Sequence, residues 1–155
     1  MENLVDAFLE ACESEAKCVA RLSEALAQER ETLIKGEISK LEELAQTKAS
    51  CLTELQALGK VRTTVMQSLN LTDEPSLNAW LADKPAALAV WETLSKELMR
   101  TQALNRVNSD LLQKRIEFVD QALAVLKTAA SSTLGYGRKG VQPAGLTGGR
   151  HLGSA

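Results

Sequence analysis

Apolar residues recur at intervals of three and four along most of the first 133 residues of this 155-residue chain. In the first stretch they are Leu4, Phe8, Ala11, Cys18, Leu22, Ala25 and Leu33. This spacing gathers side chains on one face of an α-helix, whereas a strand requires alternation with a period of two. No stretch shows that alternation. The sequence therefore predicts an all-α fold.

Turn and cap signals divide the pattern into four helices. Gly36 follows a basic last turn and predicts the end of the first helix. Ser39 and Glu42 are spaced as a capping box for the second helix. Thr72 or Asp73 caps a short third helix. The predicted helices cover residues 2–35, 38–69, 74–82 and 86–130.

The composition changes after Thr133, because seven of the nine glycines lie in the last 22 residues. A glycine-rich segment buries too little apolar surface to offset the entropy lost on ordering. We therefore expect a helical domain over residues 1–133 and a disordered tail over residues 134–155. The domain is expected to be an elongated antiparallel bundle or coiled coil of three long helices plus one short helix. Apolar residues within the tail suggest ordering on a partner, and an inert linker is the alternative.

Composition argues against several classes of protein. Acidic and basic side chains are scattered over the body, and only 3% of residues are aromatic, which is unlike a nucleic-acid interface. The longest apolar run, residues 86–91, is far shorter than the roughly 18 residues that indicate a membrane span. The first residues are acidic and lack the layout of a secretory signal. We expect a cytoplasmic protein that inserts in no membrane and binds no nucleic acid.

The residues that commonly carry catalysis are sparse. His151, the single histidine, lies in the glycine-rich tail, and no phosphate-binding loop or nucleophile motif occurs. Cys12, Cys18 and Cys51 have no metal-ligand spacing and fit reduced, half-buried structural thiols. We expect a non-enzymatic protein without a metal or cofactor.

Four polar residues interrupt the apolar seams of the predicted helices: Lys48 and Arg62 in the second helix, and Asn105 with Asn108 in the fourth. A polar layer of this kind can fix helix register at some cost in stability. Alternatively, the two asparagines could hydrogen-bond a client segment lying in a groove.

The end of the fourth helix is apolar over a wide arc. A second apolar line runs beside the main seam, which contains Val119 and Leu126. Two neighbouring helices could cover this arc, or it could be a binding groove for an amphipathic client helix. The candidate client-binding residues are Phe118, Val119, Ala122, Val125, Leu126 and Ala129.

Taken in order, three sets of residues resemble the FlgN family of flagellar type III secretion chaperones. The resemblance spans nearly the whole chain and combines a helix break, an Asn-x-x-Asn pair and a Tyr-Gly tail. The matching residues are Gly36-Glu37 with Leu41, Leu44, Lys48, Leu52 and Leu55; residues 104–108 with Leu111 and Leu112; and residues 136–140.

The resemblance implies a chaperone for the hook-associated proteins FlgK and FlgL. Such a chaperone binds their C-terminal helical segments, prevents premature assembly and delivers them to the export apparatus. A tail tyrosine of the family contributes to docking on the export gate protein FlhA, which here implies Leu134, Tyr136 and Gly137. The family also contacts the export ATPase complex. A structural coiled-coil adaptor or scaffold is the alternative, and either a monomer or a homodimer fits the exposed heptads.

Overall fold

A computed structural model describes the backbone of residues 2–137 and the side chains of residues 3–131. Within that range the chain folds as an all-α bundle, as the sequence predicts. The α-helices are α1 (Glu2–Lys35), α2 (Leu41–Ser68), α3 (Glu74–Leu81) and α4 (Pro85–Gly137). The predicted tail beyond Gly137 lies outside the described residues.

The chain divides into two compact units, and α4 contributes to both. The first, Met1–Ser109, contains α1, α2, α3 and the beginning of α4, and we call it the bundle unit. The second starts at Asp110, and its described part is the remainder of α4. We call it the distal unit.

Helices α1 and α2 form an antiparallel hairpin. Arg21 pairs with Glu54 while the earlier Glu15 pairs with the later Arg62, so residue numbers rise along one helix as they fall along the other. Gly36 ends α1 with φ 75°, and the Glu37 N–H donates to the Thr32 carbonyl at 3.1 Å. This is the left-handed cap that the basic turn and glycine predict.

The predicted capping box at Ser39 and Glu42 is wrong. Residues Ile38–Lys40 form a 3-10 turn, and α2 therefore begins only at Leu41. Lys40 occupies the N-cap position in a helical conformation and makes no side-chain cap hydrogen bond. Because the turn is already helical at Ser39, this serine is not at the extended position from which a side chain caps.

The connection to α3 has the predicted turn chemistry. Asn70 adopts φ 57°, and the Leu71 N–H donates to the Met66 carbonyl at 2.9 Å, which closes α2. Asp73 then caps α3 by accepting from the Ser76 N–H at 2.8 Å. The Ser76 side chain bonds back to the Asp73 backbone, which completes a reciprocal capping box.

Aromatic residues join α3 and α4 to α1 at one end of the bundle unit. Phe8 is fully buried and packs edge-to-face on Trp80, with ring centroids 5.0 Å apart, and 6.2 Å from Trp91. Because Phe8 lies near Trp91 and Leu26 near Asn108, α4 runs parallel to α1 here. The other buried residues of this core are Cys12, Val19, Leu71, Leu77, Leu81, Ala87 and Leu94.

Helix α4 continues to Gly137, whereas the sequence predicts its end near residue 130. Residues 134–137, assigned to the tail by composition, thus belong to the last turn of the helix. The first proline after Pro85 is Pro143, so no proline ends the helix near residue 130. Residues 122–130 are rich in alanine, the best helix former. Single glycines cost about 1 kcal/mol in a helix, which is insufficient to fix its end at Thr133.

A buried ion pair links the two helices of the hairpin. The Arg62 Nε donates to Glu15 Oε2 at 2.6 Å, and only 4% of the Glu15 side chain is exposed. The guanidinium also lies 5.5 Å from the centroid of the Trp91 ring. Arg62 therefore satisfies a buried carboxylate while contacting α4 through a cation–π interaction.

We predict that Arg62→Met lowers the free energy of unfolding by about 3–5 kcal/mol, because it leaves the Glu15 carboxylate buried without its counter-ion. Urea denaturation followed by circular dichroism measures the loss. Arg21→Met is the matched control, since it removes an Arg–Glu pair between the same helices at an exposed position. Its loss should be much smaller. Equal losses would contradict the importance of burial.

Candidate functional site

The distal unit presents large apolar side chains to solvent. Seven residues expose between 42% and 69% of their surface: Leu112, Ile116, Phe118, Val119, Leu123, Val125 and Leu126. Ala122 and Ala129 between them are exposed as well. Contiguous apolar surface of this kind is typical of an interaction site.

The helical repeat arranges these residues in two adjacent lines. The inner line has spacings of four and three, as in a heptad, and contains Leu112, Ile116, Val119, Leu123 and Leu126. The outer line, to one side of it, contains Phe118, Ala122, Val125 and Ala129. At 100° per residue the two lines together span roughly half of the helix circumference. One such arc is wide enough to contact more than a single helix.

All six candidate client-binding residues are exposed: Phe118, Val119, Ala122, Val125, Leu126 and Ala129. Coverage by neighbouring helices, which the sequence also permits, is absent from the described part of the chain. The seam of α4 therefore changes character along its length. Leu94 is fully buried in the bundle unit, whereas Leu112 and Leu126 are exposed in the distal unit.

The polar seam residues have a different environment, inside the bundle unit. Asn108 is 1% exposed, and its Nδ2 donates to the Leu26 carbonyl at 2.7 Å and to Glu29 Oε1 at 3.0 Å. The Lys48 ammonium lies 3.7 Å from the same Glu29 oxygen. Glu29 thus joins side chains from α2 and α4 to α1. The Asn108 amide thus donates its hydrogen bonds within the bundle unit, which fits a role in fixing helix register.

Glu29 is the member of this cluster that sequence reasoning missed. It follows Leu22 and Leu26 at the three-four spacing of the buried face of α1, and a carboxylate at such a position signals a buried polar partner. Asn105 differs from Asn108 because it has no counterpart to the two hydrogen bonds that the Asn108 Nδ2 donates, and its buried Oδ1 has no hydrogen-bond partner. The oxygens Thr101 Oγ1 and Asn108 Oδ1 are likewise buried and unpaired.

The cysteines are packing residues in this structure. Cys12, Cys18 and Cys51 are buried free thiols. Burial raises the pKa of Cys12 to about 12 and also raises the pKa of Cys18. Both thiols therefore stay protonated at neutral pH, which is the unreactive form.

No group of three or more potential metal ligands occurs among the described residues.

An open groove of about 850 Å³ lies between α1 and α2 near their turn. Charged side chains of both signs line it, including Arg21, Glu24, Lys35 and Glu43. Among the residues that the structure describes, no helix combines the length and the hydropathy needed to span a membrane.

The candidate docking residues Leu134, Tyr136 and Gly137 lie in the last turn of α4. Their side chains are outside the described part of the structure. The backbone of Tyr136 is therefore helical, whereas the sequence predicts a flexible glycine-rich segment at this position.

These features define an all-α bundle protein with an uncovered apolar helix face. A family model described as FlgN protein matches residues 1–144, and the chain belongs to this family. The FlgN family is a family of chaperones, and its members act in flagellar export. The chain is therefore a flagellar export chaperone. Searches of curated proteins and of solved structures found no match.

We predict that Asn108→Ala lowers the free energy of unfolding by about 1–3 kcal/mol, because it removes two hydrogen bonds and leaves Glu29 with fewer partners. Asn105→Ala, one turn earlier, should cost clearly less, since it removes neither of the two hydrogen bonds that the Asn108 Nδ2 donates. Thermal unfolding of the two variants provides the comparison. A larger loss at Asn105 would show that the Asn108 hydrogen bonds do not determine stability here.

Proposed function

We propose that this chain binds the C-terminal helical segments of the hook-associated proteins FlgK and FlgL in the cytoplasm. Binding prevents their premature assembly, and the chaperone then delivers them to the flagellar type III export gate. The observation that carries the proposal is the exposure of the six candidate client-binding residues on α4. An amphipathic client helix can cover this surface with its own apolar face.

The energy available at this surface fits reversible holding. Phe118, Val125 and Leu126 each expose about two thirds of their surface, so a client helix can bury most of each side chain. Complete burial of such side chains contributes about 1.5–3 kcal/mol each. Losses of rotational freedom and helix ordering offset part of this gain. The net affinity should permit transfer of the client without ATP hydrolysis by the chaperone.

The charges beside the outer line favour hydrophobic rather than ionic recognition. Gln121 and Thr128 lie beyond it on the exposed surface, and Lys114 precedes them by one heptad. Together with the half-buried Arg115 this gives two positive charges at one end of the surface and none beside Val125 and Ala129, so electrostatic selection is small. The client would be chosen by the shape and spacing of its apolar anchors.

Delivery needs a second contact, which we assign to Leu134, Tyr136 and Gly137. Tyr136 offers a large ring and a hydroxyl with few rotatable bonds, which suits an anchor on the gate protein FlhA. Tyr136 and the client-binding residues lie on the same helix. A chaperone attached to FlhA or to the export ATPase complex would raise the local client concentration at the gate.

We expect Phe118→Asp and Val125→Asp each to reduce affinity for a C-terminal FlgK or FlgL peptide by at least tenfold. Each variant replaces an apolar side chain that the client would bury with a carboxylate that loses its water on binding. Titration calorimetry measures the affinity. Met99→Asp is the matched control, since Met99 is 72% exposed in the bundle unit. It should bind the peptide normally.

Far-ultraviolet circular dichroism must show unchanged helicity for all three variants. If Phe118→Asp binds the peptide as tightly as the unmodified chain, the outer line is not the client surface. If helicity collapses, Phe118 instead supports the fold.

Tyr136→Ala should weaken binding to the cytoplasmic domain of FlhA while leaving affinity for the client peptide unchanged. Pull-down with FlhA and calorimetry with the peptide test the two contacts separately. Tyr136→Phe is the conservative control, because it retains the ring and removes only the hydroxyl. Parallel loss of both activities in Tyr136→Ala would contradict the proposed separation of docking and holding.

A further inference from the structure

The inner line of the distal unit has a feature that client binding does not explain. Its five apolar residues keep a strict heptad spacing, and Asp120 and Lys127 lie along one edge of it, one heptad apart. Both charged residues are exposed. They are separated by about 10 Å along their own helix, so they are too distant to pair with each other.

An antiparallel second helix would bring these two charges together. In such a pair, residues flanking the seam on the same edge face each other across the interface. A register that sets Leu123 opposite Leu126 of the second helix places Asp120 beside Lys127. The two-fold symmetry of identical helices repeats this contact, which gives two ion pairs.

The opposite edge of the inner line agrees with the same register. There Ala122 lies beside Ala129 of the second helix, and small side chains allow two helices to approach closely. The next layers pair Val119 with Ala130. Leucines therefore occupy the centre of the interface, and smaller residues surround them.

We propose that the occupant of the inner line is a second copy of this chain, packed antiparallel so that Asp120 of each copy pairs with Lys127 of the other. The resulting homodimer is joined through the distal units. Its interface combines Val119, Leu123 and Leu126 of the inner line, one edge of complementary charge and one edge of alanines.

Other arrangements of two copies fit the charges less well. Sliding the antiparallel pair by one heptad places Asp120 against Asp120, and like charges across a coiled-coil edge are repulsive. A parallel pair places Asp120 near Arg115 but sets Lys127 against Ala122. Lys127 therefore has an opposite charge to meet only in the proposed register.

This dimer does not rest on the proposed chaperone function. The most exposed outer-line residues, Phe118 and Val125, lie outside the paired inner lines and remain accessible. Val119 and Leu126 belong to the inner line, so the second copy covers them in the dimer and the client helix is held chiefly by Phe118 and Val125. A client helix would thus pack beside the second copy rather than in its place.

A charge-exchange series on the full chain tests the inference by sedimentation equilibrium at low salt, where ion pairs are least screened. The unmodified chain should be dimeric. Asp120→Lys and Lys127→Asp should each weaken the dimer by about tenfold or more, since each turns two attractive pairs into two repulsive ones. The double variant Asp120→Lys/Lys127→Asp restores attraction and should restore the dimer.

Three results would overturn the proposal. A monomer at every concentration excludes the dimer, and Lys127→Asp without effect excludes this register. Failure of the double variant to recover, while Asp120→Lys alone weakens association, indicates the parallel pair.

One variant in each apolar line distinguishes the dimer interface from the client surface. Leu123→Asp should give a helical monomer, whereas Phe118→Asp should remain dimeric. Dissociation by Phe118→Asp, with Leu123→Asp still dimeric, would place the contact on the outer line and overturn the proposal. Peptide binding measured on the same samples reports only on the chaperone function, so failure of either hypothesis is recognisable independently.

Discussion

An amphipathic helix cannot cover its own apolar face, and this constraint shapes every part of the structure. In the bundle unit, α1, α2 and α3 cover the apolar face of the beginning of α4. Phe8, Leu81 and Leu94 are almost fully buried there, and Trp80 and Trp91 close the aromatic end. In the distal unit the same helix keeps its apolar residues but has no cover among the described residues.

The composition of the α4 seam changes between the two units. Leu94 is packed in an apolar core, whereas Thr101 and Asn108 are buried with oxygens that have no hydrogen-bond partner. Such groups reduce stability, because burial removes their hydrogen bonds to water. In this structure the Asn108 donor is satisfied by Leu26 and Glu29, which fits a role in fixing the register of the helices. A purely apolar layer would tolerate a shift of α4 along α1.

Much of the fold follows from local sequence rules. The end of α1 at Gly36 and the cap of α3 at Asp73 are decided within a few residues, and both were predictable. The start of α2 was not, because a 3-10 turn at Ile38–Lys40 competes with the Ser39 cap. The end of α4 was also misjudged, since glycine raises the free energy of a helix without terminating it.

The candidate site was predictable in identity but not in exposure. Helical spacing alone shows that Phe118, Ala122, Val125 and Ala129 share a face. Whether that face is covered depends on the other helices, which no local pattern specifies. Glu29 was missed for the related reason that its partners, Lys48 and Asn108, are remote in sequence.

An exposed apolar face places conflicting demands on a chaperone. It must be apolar enough to hold a client helix, yet its exposure in the free protein invites aggregation. Pairing the inner lines of two copies would remove Leu123 and Leu126 from water and leave Phe118 and Val125 available. Association between identical chains is limited by geometry to two copies, because an isologous interface closes on itself. Dimerisation would in this way protect the chaperone itself while preserving the surface on which it holds its client.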